Sequence, residues 1–373
     1  MSHSLSPVTK KDVEKIVLAE PFVLPTYYKI IATVFILFGV FVFAREAFFG
    51  GDVKHAWTAF QVNLLFWFCM AAASSCFTAV FHICNAQWVR PIRRLFEAGS
   101  DFFAITPFLF LFVLLAHGYS HIFAWSHEEA PGKAEWLKPN AVYIRDFIGI
   151  CVLVYLSRTV VKLSIKRDIL AVRDGLTGIE KDKVGRWYDK KHDYCSFIAN
   201  CSGHGKSGIE HATHKMWRLS PAVVIVYALV MSLIAFDQEM SVDYHWYSTM
   251  FGGFVFMGAV YIAFAWVSMS IAFMREIHPL FKAKIERRTL HDLGKLLFGF
   301  GIFWAYLFWS QYLPIWYGNM HEETAWIILR LRDQPWHDFA WIVFGLCFII
   351  PFLLGLSRDV KQVPILLLGT GTI

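Results

Sequence analysis

A chain of 373 residues that is 57% hydrophobic and 17% aromatic, with a mean hydropathy of +0.47, is far more apolar than a soluble domain of its size. Its formal charge of +6 is carried by basic residues in particular loops with no separate basic domain, which argues against nucleic acid as a partner and makes the charges a report on membrane topology. Of its seven cysteines, Cys69, Cys76, Cys84, Cys151 and Cys347 fall inside apolar runs as small core-type residues, so no disulfide framework is expected.

Residues 1–26 are polar, with Lys10, Lys11 and Lys15, and lack the apolar core and small-residue cleavage site of a secretory signal. Thr9 with Asp12 is expected to cap a short surface helix running toward Pro21. Eight runs are long enough to cross a hydrocarbon core of roughly 30 Å at about 1.5 Å per residue. They lie near 27–49, 58–84, 102–124, 142–165, 220–237, 245–274, 293–317 and 338–357. A ninth begins at Val363 but has only Pro364 to Ile373, too few to span. The expected fold is therefore an all-α polytopic transmembrane helix bundle. Its segments are an N-terminal piece (1–26), a first helix group (27–165), a loop (166–219) and a second helix group (220–373) that is incomplete at its C-terminal end.

Positive charge in short loops resists translocation. With a cytoplasmic N-terminus, 28 of the 35 lysines and arginines fall on the inner side and 7 on the outer, an asymmetry that favours this orientation. The loop 166–219 is then cytoplasmic. Its Gly203-His204-Gly205-Lys206-Ser207 is similar to the end of a phosphate-cradling loop, but position 200 is asparagine where a glycine is required and no apolar strand precedes it, so nucleotide binding is rejected. Cys195, Cys201, His204, His211 and His214 match no usual structural zinc spacing, and no metal site is assigned. After the seventh run, Asn319 with Glu322 reads as a capping pair. Glu322 and Glu323 then sit at the positive end, and Arg330 and Arg332 at the negative end, of an outer-surface helix over Ala325–Arg332. Trp326, Ile327, Leu331 and Trp336 are expected to face lipid or a partner.

The stretch from Phe236 to Gly258 concentrates ionisable groups at the mouth of an apolar run. Asp237, Glu239, Asp243 and His245 close one segment and open the next, and such groups at a membrane boundary are functional candidates by default. Ser248, Gly252 and Gly253 provide the small residues that let a second helix approach closely. His117 and His121, four apart at the end of the third run, would share a helix face, either as a proton or redox site or simply as histidines bonded at a helix end. Haem is disfavoured because the runs 142–165 and 220–237 contain no histidine to pair across helices. Arg145 and Asp146 could pair with Asp237 or Glu239. Gln311 could bond across helices or to a ligand carbonyl, with Pro314 ending or kinking its helix. On the inner side His82, His291, Asp292 and Lys295 read as an interfacial polar cluster. His117, His121, Arg145, Asp237, Glu239, Asp243 and His245 all fall at the outer ends of the third to sixth runs. Asp237 is the deepest carboxylate, with His245 its expected exchange partner.

His291 to Leu331 (HDLGKLLFGFGIFWAYLFWSQYLPIWYGNMHEETAWIILRL) closely resembles the F subunit of bacterial alternative complex III, a quinol:electron-acceptor oxidoreductase. Phe236 to Gly253, with its D..MS....HW.ST.FG pattern, agrees, as do Trp125-Ser126-His127, Arg145 in NAVYIRDF and the Ser357-Arg358 turn. The likeness runs from about residue 27 to the end. It implies an NrfD/PsrC-like membrane subunit of two four-helix bundles with an additional helix beside each, able to bind quinone or menaquinone and carrying no covalent cofactor. It implies as partners the NrfD-like C subunit, the iron–sulfur B subunit, the multihaem cytochrome c subunits and a terminal oxidase, in the bacterial cytoplasmic membrane. The family pattern has about ten helices, so an incomplete sequence or a neighbouring subunit would account for the missing closure here. A purely structural scaffold and a secondary transporter, the latter with broken helices near the midplane, are the competing readings.

Overall fold

The computed structural model describes residues 26–128, 132–174, 206–277 and 285–362. The expected cap at Thr9 and Asp12, the Cys195, Cys201 and His204 group and the ninth run lie outside them. Among the described residues the structure is helical with no strand, and eight helical segments are long and apolar enough to cross a membrane, the architecture of a multi-pass membrane protein.

In chain order the helices are α1 (Thr26–Phe48), α2 (Val53–Ile83), α3 (Arg93–Phe103), α4 (Thr106–Leu115), α5 (Tyr119–Ile122), α6 (Pro139–Asp174), α7 (Lys206–Ile234), α8 (Phe251–Ile277), α9 (Arg287–Gly318), α10 (His321–Leu331), α11 (Trp336–Phe344), α12 (Ile350–Leu356) and α13 (Arg358–Gln362). The third span is α3 and α4 in series, broken at Ala104 and Ile105. There Thr106 Oγ1 donates to the Phe103 carbonyl at 2.8 Å, and Pro107, in the first turn of α4, supplies no backbone N–H. A π turn (Ala235–Glu239) follows α7, and a second one (Gly345–Ile349) joins α11 to α12.

The centre of the molecule is α2. Its run Ala71-Ala72-Ala73-Ser74-Ser75 is almost wholly buried, and these short side chains let neighbouring backbones come close. A Cβ on Gly99 of α3 would stand 2.9 Å from the Ser74 Cβ, and Ser74 Oγ donates to the Phe96 carbonyl at 2.7 Å. In a membrane, where lipid is as apolar as leucine, such packing and hydrogen bonding hold helices together. The spans α2, α3–α4, α6 and α7 form a four-helix group, and α7 makes its most extensive packing against α6 and α2. The division expected between the loop and a second helix group at residue 220 therefore runs through a packed unit. Among the described residues, α8, α9 and α11–α12 form a group of three, joined to the first through α8 against α2.

Several boundaries differ from those read in the sequence. The third span is Arg93–Leu115, not 102–124, because Arg93 and Arg94 are held inside the helix start by ion pairs with Glu97 and Asp168. Charge that looked like loop is thus neutralised within the helix. The helices flanking the expected loop 166–219 continue to Asp174 and begin again at Lys206, which puts His211 and His214, both exposed, on α7. The sixth span begins at Phe251, with turns over the preceding residues. Pro314 does not end α9, which continues to Gly318. Asn319 does not cap α10; it takes the left-handed conformation (φ 44°) as the C-cap of α9, and Met320 is the N-cap residue. Glu322 and Glu323 do occupy the first turn of α10 and Arg330 the last. One face of the half-buried Trp326 ring stacks on the buried Trp246 of the same chain at 4.3 Å and 9°.

Candidate functional site

The site is built where α7 ends. The five residues of the π turn Ala235–Glu239 widen the helix, so that consecutive side chains, Asp237 and Gln238, both turn inward and both are fully buried. Single π turns of this kind recur at functional sites. Across from them, the second and third turns of α6 carry Arg145 and Asp146, and Asp146 is also fully buried.

Arg145 and Asp237 form a two-pronged ion pair. Nε donates to Oδ2 at 2.6 Å and Nη2 to Oδ1 at 2.7 Å, a fork geometry that gives direction as well as energy. Trp136 completes it: its indole Nε1 donates to Asp237 Oδ1 at 2.9 Å, its carbonyl accepts from Arg145 Nη1 at 2.9 Å, and its ring lies 3.9 Å from the guanidinium carbon. The cation is thus met by a carboxylate, a carbonyl and an aromatic face together. A second chain of bonds leads inward. Gln238 Nε2 donates to Asp146 Oδ2 at 2.6 Å, and Gln61 Nε2 on α2 donates to Gln238 Oε1 at 2.9 Å. Asp146 Oδ1 is buried with no hydrogen-bond partner among the described residues. A second carboxyl, with no ion pair of its own among the described residues, is therefore enclosed beside the Arg145–Asp237 pair.

The segment before α6 folds over this centre. Trp125 Nε1 donates to Ser241 Oγ at 3.2 Å, and Ser241 Oγ donates to the Asp237 carbonyl at 2.6 Å. Lys133 Nζ donates to the Tyr244 carbonyl at 2.8 Å. The Tyr244 hydroxyl donates to Glu128 Oε2 at 2.8 Å, and donation to that carboxylate, with some burial, holds the phenol above its ordinary range.

Of the residues picked out in the sequence, Asp237 and Arg145 meet as anticipated. His245 does not join them: it is exposed, its backbone N–H donates to Asp243 Oδ1 at 3.3 Å, and its ring lies against Tyr244 at 4.1 Å. Arg145 has the place expected for His245. Asp243 is half-buried at the rim. Glu239 is half-buried near Cys69. His117 and His121 do not share a helix face, because α4 stops at Leu115 and His117 takes a left-handed φ of 54°. The next residue, Gly118, packs directly on the Trp57 ring, which a Cβ there would overlap. Both histidines are exposed and outside the network. Gln311 accepts from Ser248 Oγ at 3.3 Å, on the α8–α9 side. The inner cluster divides as well: Lys295 pairs with Asp292 at 2.6 Å, whereas His82 lies by Trp217 and Arg167. Of the small residues at the start of α8, Gly252 is needed for close approach, with Ser232 3.0 Å from where its Cβ would stand, while Gly253 has open space.

Gln61, Gln238 and Trp136 were not singled out in the sequence. Gln61 is one of two neutral amides, with Asn63, in an apolar run, and Gln238 stands between two carboxylates that draw attention away from a neutral amide. The described residues contain no group of three or more His, Cys, Asp or Glu side chains placed to hold a metal ion.

No family model matches the chain, and comparison with curated proteins gives no match.

Proposed function

We propose that this chain is a membrane subunit of a quinol:electron-acceptor oxidoreductase of the alternative complex III type, working in the bacterial cytoplasmic membrane with its N-terminus on the cytoplasmic side. In this reading Asp237 and Asp146 handle protons, and Arg145 supplies the fixed positive charge that holds Asp237. Quinol oxidation releases two protons for every two electrons, the electrons pass to iron–sulfur and haem groups of partner subunits, and the protons need titratable groups leading outward. The observation that carries the reading is the buried Asp146 carboxyl, with no ion pair of its own among the described residues, beside the Arg145–Asp237 pair at the end of two spans. Ionisable groups buried in a membrane are functional candidates by default. Gln61 and Gln238 serve in orientation, since an amide does not release a proton at working pH; they aim Asp146 toward Asp237.

A structural latch is the second reading, favoured by the three bonds to Asp237 that tie α6, α7 and the Trp136 segment together. Asp146 separates the two, because it takes no part in the Arg145 fork. Asp146→Asn keeps the shape and the bond from Gln238 and removes the titration. Under the proton reading the assembled complex, purified from native membranes with its iron–sulfur and multihaem cytochrome c subunits, loses on the order of tenfold or more in quinol oxidation and shifts its pH profile. A fully assembled variant with the wild-type rate and pH profile leaves the latch in its place. Isolation of the wild-type chain without redox partners would overturn the assignment to such a complex.

A further inference from the structure

At the end of the bundle away from Asp237, four spans stop at one level: α2 ends at Ile83, α3 starts at Arg93, the fourth span closes at Asp168 and the fifth opens at Gly208. Between them lies a polar cleft, into which Arg90, Arg93, Arg167, His82, Asn85 and Gln87 contribute. Its positive charge is only partly answered. Asp168 is shared by Arg93, Arg94 and Arg167, and Glu97 by Arg93 and Arg94, which leaves two carboxylates for these three guanidiniums. Arg90, a fourth, is exposed and makes no side-chain hydrogen bond or ion pair among the described residues. The wall also holds polar atoms with nothing to bond. Arg93 Nε is 3.4 Å from Glu97 Oε1 but is not hydrogen-bonded to it, and the buried Nε2 of His82 and Oγ1 of Thr78 have no partner. Excess guanidinium beside unsatisfied donors is the chemistry that receives a phosphate.

We propose that this cleft binds a phosphate group, and that the phosphate is the headgroup of an anionic phospholipid. Its depth selects that source: the spans end here, so the cleft opens where headgroups lie, and basic pockets between spanning helices are lipid sites on the same grounds. Trp217, more than half exposed and 6.2 Å from the His82 ring, adds the amphipathic ring expected at a membrane–water boundary. The acyl chains would run along the exposed apolar faces of the adjoining spans. The site needs none of the groups in the Asp237 network.

The test uses the full chain in nanodiscs of phosphatidylglycerol or phosphatidylcholine, with retained lipid counted by native mass spectrometry after release. Wild type is expected to retain phosphatidylglycerol in preference to phosphatidylcholine, and Arg90→Gln to weaken that retention on the order of tenfold for loss of one charged contact. Arg90→Gln removes no bond made within the protein, so an intact fold is expected; Arg90→Lys should restore part of the retention. Equal retention of the two lipids, or undiminished retention by both Arg90→Gln and Arg90→Gln/Arg167→Gln, would overturn the proposal. In a separate arm inorganic phosphate is added to the detergent-solubilised chain. If phosphate alone raises the melting temperature as far as phosphatidylglycerol does, and the double variant abolishes both effects, the lipid source is overturned in favour of the free ion.

Discussion

Asp237 accepts three hydrogen bonds from two residues, and what its loss costs depends on what is left facing Arg145. Asp237→Ala strands a guanidinium whose side chain is only 22% exposed, and breaking a buried pair in this way costs about 3–5 kcal/mol. Asp237→Asn still offers one oxygen and should cost less than Asp237→Ala. Thermal melts of the two variants in the same lipid are expected to rank them in that order, and equal melting temperatures would mean that Arg145 draws its stability from Trp136 alone. This pair was legible in the sequence because a full charge in an apolar run stands out. Its surroundings were not. Gln61, Gln238 and Trp136 carry no formal charge, and their importance comes from a juxtaposition of α2, the π turn and the segment before α6 that no local pattern encodes.

The helices were legible as elements because each apolar run exceeds the length of a hydrocarbon crossing, but their ends were not. Charged ends such as Arg93-Arg94 and Lys206 to Arg218 remain helical, since ion pairs and long side chains make charge compatible with a helix that emerges from the apolar layer. The opposite error came at His117, where helical spacing was extended past a helix that had already stopped. Just beyond that stop, Gly118 packs on the Trp57 ring. Gly118→Ala should force the chain off the Trp57 ring and destabilise by about 1–3 kcal/mol, the usual cost of overpacking. Gly253→Ala, with nothing within 4 Å of the new methyl, is the control and should leave the melting temperature almost unchanged. Equal effects at the two positions would show that the Trp57 contact is not what limits position 118.

At the scale of the whole molecule, the spans differ in how much of themselves they bury. α2 is enclosed, whereas α1 and the final span keep most of their apolar side chains, Phe35, Phe38, Trp341 and Leu353 among them, on the outside. Between them, α10 joins the last two spans and is clamped by Trp326 on Trp246, with Arg330 3.6 Å above the Trp326 ring. On the orientation proposed from the uneven placement of lysine and arginine, α10 lies on the outer side together with the Asp237 centre. A cysteine at the exposed Glu322 is therefore expected to react with an impermeant maleimide in intact spheroplasts. Labelling only after lysis would invert the topology and, with it, the direction in which protons leave the Asp237 centre.

The π turn at Ala235–Glu239 amounts to one residue more than an α-helix needs over the same rise, so the polar centre depends on counting as much as on chemistry. Deleting Phe236 removes no charged or hydrogen-bonding side chain, yet it lets the helix close to ordinary winding and rotates Gln238 away from Asp146. Phe236→Ala removes the same ring and keeps the count. A large loss of activity in the deletion beside a small one in the substitution is the expected result; equal losses would mean that the ring, not the count, matters at this position. On this view the site is a phase relation between two helices, one that a single codon gained or lost could create or abolish while every polar residue stayed in the gene.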